Sequence, residues 1–184
     1  MKLLQGEVFV PLFRRVEIKD AVVNIKDGDS NSVSVKLGDG NMSYTERRNI
    51  EYILDRGLLD DVREGDQSPV QVQFDATWEY VKGPSVASTV TSGATTGTPT
   101  IEDALKGRGG AALWVSTDAD TCRPYAVDLE IIINPQPGGC GDQETILLSD
   151  FRWEENAHDL RGGTFNISGQ CNITEATVTR VAGS

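Results

Sequence analysis

The stretch SPVQVQFDATWEYV, residues 68–81, alternates apolar and polar positions almost without interruption. Its apolar set is Val70, Val72, Phe74, Ala76, Trp78 and Tyr80, and its polar set is Gln71, Gln73, Asp75, Thr77 and Glu79. Because successive side chains of a strand point to opposite faces, the pattern predicts a β-strand with one dry face and one wet face. At about 3.3 Å per residue this strand would be roughly 40 Å long, about twice the usual length.

Similar alternation recurs along the chain. The predicted inward sets are Val33, Val35 and Leu37; Val127, Leu129, Ile131 and Ile133; Leu147, Phe151 and Trp153; Phe165, Ile167, Cys171 and Ile173; and Ala176 with Val178. Asp27-Gly28-Asp29 predicts a turn, and Ile50, Tyr52 and Leu54 favour a strand, although a helix through residues 50–54 stays open. Strands with so little helix between them predict an antiparallel β-sandwich or barrel, in which Trp78, Ile131 and Phe165 are buried.

One short flanking helix is predicted in TIEDALKG, which ends at Gly107. Thr98 resembles an N-cap, with Pro99 at the first helical position. Long loops are expected at about 38–66 and at 83–100, where the chain carries no charge and consists mostly of Gly, Ser, Thr and Pro. The whole chain, 1–184, is interpreted as one domain.

The net charge is strongly negative. Seventeen basic and 28 acidic residues give −11, so we expect no DNA binding by the ordinary neutralisation of phosphates. Gln5, Gly6 and Glu7 interrupt the opening MKLL, and no apolar run reaches the length of about 18 residues that a membrane helix needs. We therefore expect neither a secretion signal nor a membrane span.

No group of residues predicts catalysis or metal binding. Asp27, Asp29 and Asn31 have calcium-loop spacing, but Ser32 and Gly38 stand where such a loop needs glycine and a bidentate glutamate. A zinc site built from Cys122, Cys140, Cys171 and His158 would lack the usual closely spaced ligand pair. Three dispersed cysteines also argue against a disulfide framework. His158 is expected in a solvated loop, and we predict no enzyme activity, no metal and no cofactor.

Two segments carry a resemblance to a known family. VREGDQSPVQVQFDATWEY and GGTFNISGQCNITEATV, separated by the uncharged loop, TIEDALKG and CRPYAVDLEI, resemble the major tail proteins, or tail tube proteins, of long-tailed bacteriophages. The resemblance spans about residues 40–182. It implies a β-sandwich or half-barrel with a flanking helix, assembled as hexameric rings that stack into a tail tube. The rings would pool their inner strands into one barrel, through which the genome is ejected into the host.

The resemblance also implies partners and a location. The chain would contact copies of itself and the tape measure, terminator and distal tail proteins. Double-stranded DNA would pass without specific binding, and no membrane would be involved. Assembly would take place in the host cytoplasm and the product would reside in the virion.

Two sets of site residues follow from this picture. The wet positions Gln71, Gln73, Asp75, Thr77 and Glu79 are predicted to face the lumen, with an outer solvated face of the same sheet as the alternative. Six chains at −11 each place −66 on a ring, and acidity of this kind repels phosphates. The cations Arg47, Arg48 and Arg56 are predicted at a subunit contact.

Other functions are open at this point. A β-sandwich can serve as a ligand-binding or carbohydrate-binding tail-tip or adhesion module, and the tubes of type VI secretion are related in fold to tail tubes. Sandwiches host many functions, so fold alone does not decide between them. A hydrolase is the weakest alternative because no nucleophile and base are evident.

Overall fold

The computed structural model describes residues 21–35, 37, 41–77, 99–133 and 143–181. The strands in these ranges are β1 (Ala21–Lys26), β2 (Ser32–Val35), β3 (Met42–Thr45), β4 (Ile50–Asp55), β5 (Leu58–Glu64), β6 (Val70–Thr77), β7 (Val127–Ile133), β8 (Gln143–Asp159), β9 (Thr164–Cys171) and β10 (Thr177–Val181); the helix α1 is Ile101–Lys106, and Gly109–Ala111 forms a 3₁₀ turn. None of the helices in these ranges has the length and apolar character needed to cross a membrane.

Eight strands form one sheet in the order β2-β1-β7-β8-β9-β6-β3, with β10 added on β8. Each strand pairing is antiparallel. The first part of β8 pairs with β7 and β10, while its second part, from Phe151 onward, pairs with β9. This mainly-β, antiparallel architecture with one short helix confirms the predicted fold class.

The dry face of β6 is buried as predicted. Val70, Val72, Phe74 and Ala76 are each at most 2% exposed, and the ring of Phe74 lies 6.3 Å from that of Phe151 between centroids. Ile131 and Phe165 are also buried, which confirms the inward faces of β7 and β9. Trp78, Glu79 and Tyr80 lie outside the described residues.

The predicted inward face of β8 is right for Phe151 but wrong for Leu147 and for Trp153, which is 39% exposed; Val178 of β10, also predicted inward, is 45% exposed. Ile146, Leu148 and Phe151 are buried, whereas Leu147 is only partly covered. Asp150 has φ 55° and belongs to a bulge, because Val127 pairs with Phe151 while Leu129 pairs with Leu148. The extra residue reverses the alternation, so Leu147 and Phe151 point to opposite faces.

Helix α1 covers the inner face of the sheet with Ile101, Ala104 and Leu105, which are all buried. Thr100, rather than the predicted Thr98, caps it: the Thr100 hydroxyl accepts from the Asp103 amide at 3.0 Å, and the Asp103 carboxylate accepts from the Thr100 amide at 3.3 Å. Such a capping box satisfies two amides that the first turn leaves free. The predicted end at Gly107 is confirmed by its left-handed conformation.

The first predicted loop contains regular structure. Within residues 38–66 lie β3 and a separate two-stranded sheet of β4 and β5, so the strand alternative for Ile50, Tyr52 and Leu54 is the right one. Of the second predicted loop, residues 83–98 lie outside the described residues.

Candidate assembly surfaces

The wet positions of β6 lie in the middle of a polar surface that spans three strands. Gln71 is paired with Thr45 on one side and Gln170 on the other, and Gln73 with Ser43 and Ser168. Further along, Asp75 is paired with Asn166 and Thr77 with Thr164. Cross-strand partners share a face, so these side chains form one continuous surface on β3, β6 and β9, which we call the polar face.

The polar face carries little charge. Asp75 is the single ionisable side chain among the paired positions just named, and its Oδ1 accepts from Asn166 Nδ2 at 2.6 Å. Charged partners appear only at the neighbouring strand β8, where Arg152, Glu155 and Asp159 pair with β9. The sequence predicted the polar side of β6 but not its extension across β3 and β9, since that requires knowing which strands are neighbours.

The β4–β5 hairpin pairs only with itself among the described strands. Tyr52 stands opposite Val62, and Leu54 opposite Leu59. With Ile50 these side chains make up one side of the hairpin, the apolar side, and Tyr52, Leu54 and Leu59 are each more than 60% exposed. An isolated two-stranded hairpin is only marginally stable in water, and a continuous exposed apolar surface marks an interaction site.

The opposite side of the hairpin is charged. Arg63 Nε donates to Glu51 Oε2 at 2.8 Å across the strands, and Ile53 stands opposite Asp61. The strands are joined by Arg56 and Gly57, with φ values of 51° and 84°. Two consecutive residues with positive φ are typical of the tight turns that match strand twist. Leu58, which is 75% exposed, also lies on this side opposite Asp55, and Glu64 lies on the apolar side opposite Ile50, so the two sides differ in degree.

The three predicted contact arginines do not form one cluster. Arg48 lies at the base of the hairpin, where it binds Glu64, and Arg47 precedes it in the connection from β3. Arg56 lies at the tip, with its side chain 91% exposed and 3.9 Å from the Asp55 carboxylate. The length of β4 separates the two groups, and their contact roles stay predictions.

Two open clefts meet beside the base of the hairpin, where they share Gln67, Ser68, Thr174 and Glu175. One, of about 730 Å³, is lined by Arg152, Glu154 and Gln170, and the other, of about 570 Å³, by Arg47, Arg48 and Asp66. Both are lined largely by polar and charged side chains, and none of the described residues that line them is aromatic. Drug-sized and cofactor ligands usually bind in apolar cavities, so neither cleft favours the ligand-binding alternative.

The calcium-like spacing corresponds to a structural turn. Asp27 is buried, and its carboxylate accepts from the amides of Asp29, Asn31 and Val115 and from the Asn31 side chain. Burial acts to raise the pKa of Asp27, but these hydrogen bonds outweigh it and lower the pKa. No cluster of three metal-ligating side chains occurs within the described ranges.

Within the described residues, Cys122, Cys171 and His158 form no metal-ligating group. Cys171 is buried in β9, where burial raises the pKa of its thiol to about 12, whereas Cys122 is exposed; Cys140 lies outside the described residues. The structure places His158 in β8 rather than in the predicted loop. Its ring packs 5.9 Å from that of Phe165, and its Nε2 lies 4.0 Å from Glu102.

Comparison with known proteins identifies a solved structure with a similar fold. No family model and no curated protein sequence matches the chain. Among solved structures the fold is similar to the anti-feeding prophage cap, a tube terminating cap determined by cryo-EM, with a TM-score of 0.53 and 9% sequence identity over 97% of this chain and 100% of that chain. The two chains share a fold.

Proposed function

We propose that this chain is a structural protein of a phage tail, a subunit of stacked hexameric rings that form the tail tube. The observation that carries the proposal is the apolar side of the β4–β5 hairpin, which no described residue covers. The fold shared with a tube terminating cap supports it. The role is structural and not enzymatic.

The hairpin supports self-assembly through its geometry. It extends from the body of the subunit with Tyr52, Leu54 and Leu59 exposed on one side, so its stable position is against another molecule. A projecting element that binds a different surface of an identical copy makes a head-to-tail contact, and such contacts close into rings or continue as filaments. Other tail proteins, namely tape measure, terminator and distal tail, would contact the ends of that assembly.

The polar face fits the wall of a channel for double-stranded DNA. Its amides and hydroxyls interact with water, and it presents no Lys or Arg at the paired positions of β3, β6 and β9. DNA adheres to proteins mainly through Lys and Arg, so this face gives the phosphates little to bind. In this proposal Gln71, Gln73, Asp75 and Thr77 line the lumen of a tube assembled in the host cytoplasm and carried in the virion.

A second function is favoured by the comparison itself. The similar chain is described as a tube terminating cap, so this chain could end a tube rather than build its length. A tube subunit stacks on further copies of itself, whereas a cap ends the stack.

The hairpin can be tested through two matched double variants. Leu54→Ser with Leu59→Ser removes a cross-strand pair from the apolar side, while Glu51→Gln with Arg63→Gln alters the opposite side of the same hairpin. Sedimentation velocity should show that the first variant is monomeric under conditions where the wild type and the second variant assemble. Because the hairpin lies outside the core, circular dichroism should show folded protein in each case. Equal assembly of all three would contradict the role of the apolar side.

A further inference from the structure

The outer side of the sheet carries a second surface, apart from the polar face. Val22 is paired with Ile132, Ile132 with Thr145, and Thr145 with Thr179. Cross-strand partners share a face, and Ile131, which precedes Ile132, is buried on the core side. This row of four residues therefore crosses β1, β7, β8 and β10 on the side of the sheet that points away from the core.

Two further side chains widen the row into a surface that we call the uncharged patch. Leu147 lies two positions after Thr145 in β8, and Val181 lies two positions after Thr179 in β10, so each shares a face with the row. None of the six members is ionisable; they are Val22, Ile132, Thr145, Leu147, Thr179 and Val181. Val22 is 41% and Val181 57% exposed. Single exposed apolar side chains are normal on a protein surface, but a contiguous group favours an interaction site.

The β4–β5 hairpin begins beside this patch but does not cover it. The Glu46 carboxylate, a few residues before β4, accepts from the Ala176 amide at 2.8 Å, which places the base of the hairpin next to the start of β10. Tyr52, Leu54 and Leu59 are nevertheless more than 60% exposed. Both surfaces of one subunit are therefore open, and each can bind the opposite surface of another copy.

We propose that the uncharged patch of one subunit binds the apolar side of the β4–β5 hairpin of a second subunit. The inference rests on the proposed function, because it names the surface that receives the hairpin in a head-to-tail assembly. The two surfaces agree in length: the apolar side measures roughly 13 Å from Ile50 to Leu54, and the row measures roughly 14 Å from Val22 to Thr179. With its strands lying along the row, the hairpin packs on the sheet in the orthogonal arrangement.

The chemistry of the two surfaces also matches. Glu64 is the charged residue on the apolar side, and it already binds Arg48 within its own subunit, so the contact leaves no charge buried without a partner. Tyr52 brings a hydroxyl, which usually finds a hydrogen-bond partner when it is buried. Thr145 and Thr179 supply hydroxyls in the row, while the aliphatic side chains on both surfaces gain by leaving water.

A mixture of two assembly-defective variants tests the inference. Leu54→Ser with Leu59→Ser removes the apolar side and keeps the patch, while Val22→Glu with Thr179→Glu places charges in the patch and keeps the hairpin. Each variant alone should be monomeric in sedimentation velocity. Their equimolar mixture should form dimers that contain one copy of each, because one intact hairpin and one intact patch remain. A patch variant that assembles like the wild type, or a mixture that stays monomeric, would overturn the inference.

The matched control adds the same charge at exposed apolar positions outside the patch. Leu113 and Leu160 are about as exposed as the hairpin leucines, and Leu113→Glu with Leu160→Glu should assemble like the wild type. Loss of assembly in this control would contradict a specific role of the patch. The substituted positions are all exposed, so circular dichroism should show folded protein for every variant.

Cross-linking tests the same contact without abolishing assembly. One copy carries Leu59→Cys and another Thr179→Cys, both with Cys122→Ser and Cys140→Ser, and the mixture is treated with a short bismaleimide. The inference predicts a cross-linked pair with one copy of each, and much less product when Leu160→Cys replaces Thr179→Cys; equal yields would overturn it. A wild type that never assembles would refute the proposed function as well, whereas assembly without this cross-link would refute the inference alone.

Discussion

Gly169 lies against the backbone carbonyl of Arg152 on the neighbouring strand. A Cβ atom built on Gly169 would meet the Arg152 oxygen at 2.1 Å and its carbonyl carbon at 2.9 Å. This contact falls beside the second irregularity of β8, between Trp153 and Glu155, where the pairing with β9 shifts by one residue. The absence of a side chain at position 169 therefore allows β8 and β9 to stay paired through the shift.

Gly169→Ala should destabilise the fold, since the methyl group would meet two backbone atoms of Arg152, which cannot rotate away, and the ring of Phe151. Overpacking of this kind costs about 1–3 kcal/mol. Chemical denaturation measures the loss. Gly65→Ala is the control, because a Cβ there meets mainly the side chain of Asn49; a loss as large as that of Gly169→Ala would contradict the argument from the backbone contact.

The bulge at Asp150 can be tested with two adjacent leucines. Leu148 is fully buried and Leu147 only partly so, although simple alternation with Phe151 would bury Leu147. Leu148→Ala should lower the free energy of unfolding by about 2–5 kcal/mol through the cavity it leaves, and Leu147→Ala should lower it clearly less. A larger loss for Leu147→Ala than for Leu148→Ala in chemical denaturation would contradict the bulge and support uninterrupted alternation along β8.

Added positive charge tests the lumen assignment. Gln71→Lys with Gln73→Lys places two cations per subunit on the polar face, where DNA phosphates would bind them if DNA passes along it. Virions carrying this variant should assemble but eject their genome slowly at low salt, and faster as salt screens the attraction.

The control for this experiment adds the same charge elsewhere. Ser32→Lys with Ser34→Lys places two cations on the exposed side of β2, at the opposite end of the sheet order from β3. Ejection from that variant should be normal. If the polar-face variant also ejects its genome normally at low salt, the assignment of Gln71 and Gln73 to the lumen is wrong. That result would not contradict the proposal that the chain forms a tube.

Alternation along single strands predicted a large part of the fold. The inward faces of β6, β7 and β9 follow from period-two patterns, because each of these strands has one face on the core. The inward face of β8 could not be predicted in this way, since Asp150 adds one residue to the strand and nothing in the sequence indicates a bulge there. A non-glycine residue with positive φ is uncommon, and the sequence gives no reason to expect one there.

The candidate site depended on contacts between distant parts of the chain. The polar positions of β6 were predicted, but their union with Ser43 and Ser168 arises from pairing with β3 and β9. The β4–β5 hairpin was not predicted from alternation for a different reason. The bulge in β5 interrupts the alternation at Leu58, Leu59, Asp60 and Asp61. Exposure of Leu54 and Leu59 is a property of the folded subunit, so the apolar side could not be inferred from the residues alone.

Electron microscopy of the purified, concentrated protein tests the central claim most directly. The account predicts rings with a central hole that stack on one another into tubes, and it predicts that Leu54→Ser with Leu59→Ser abolishes the stacks. Single rings that never stack would instead favour the cap. Particles that remain monomeric at high concentration, together with virions that lack this chain in their tubes, would contradict the account.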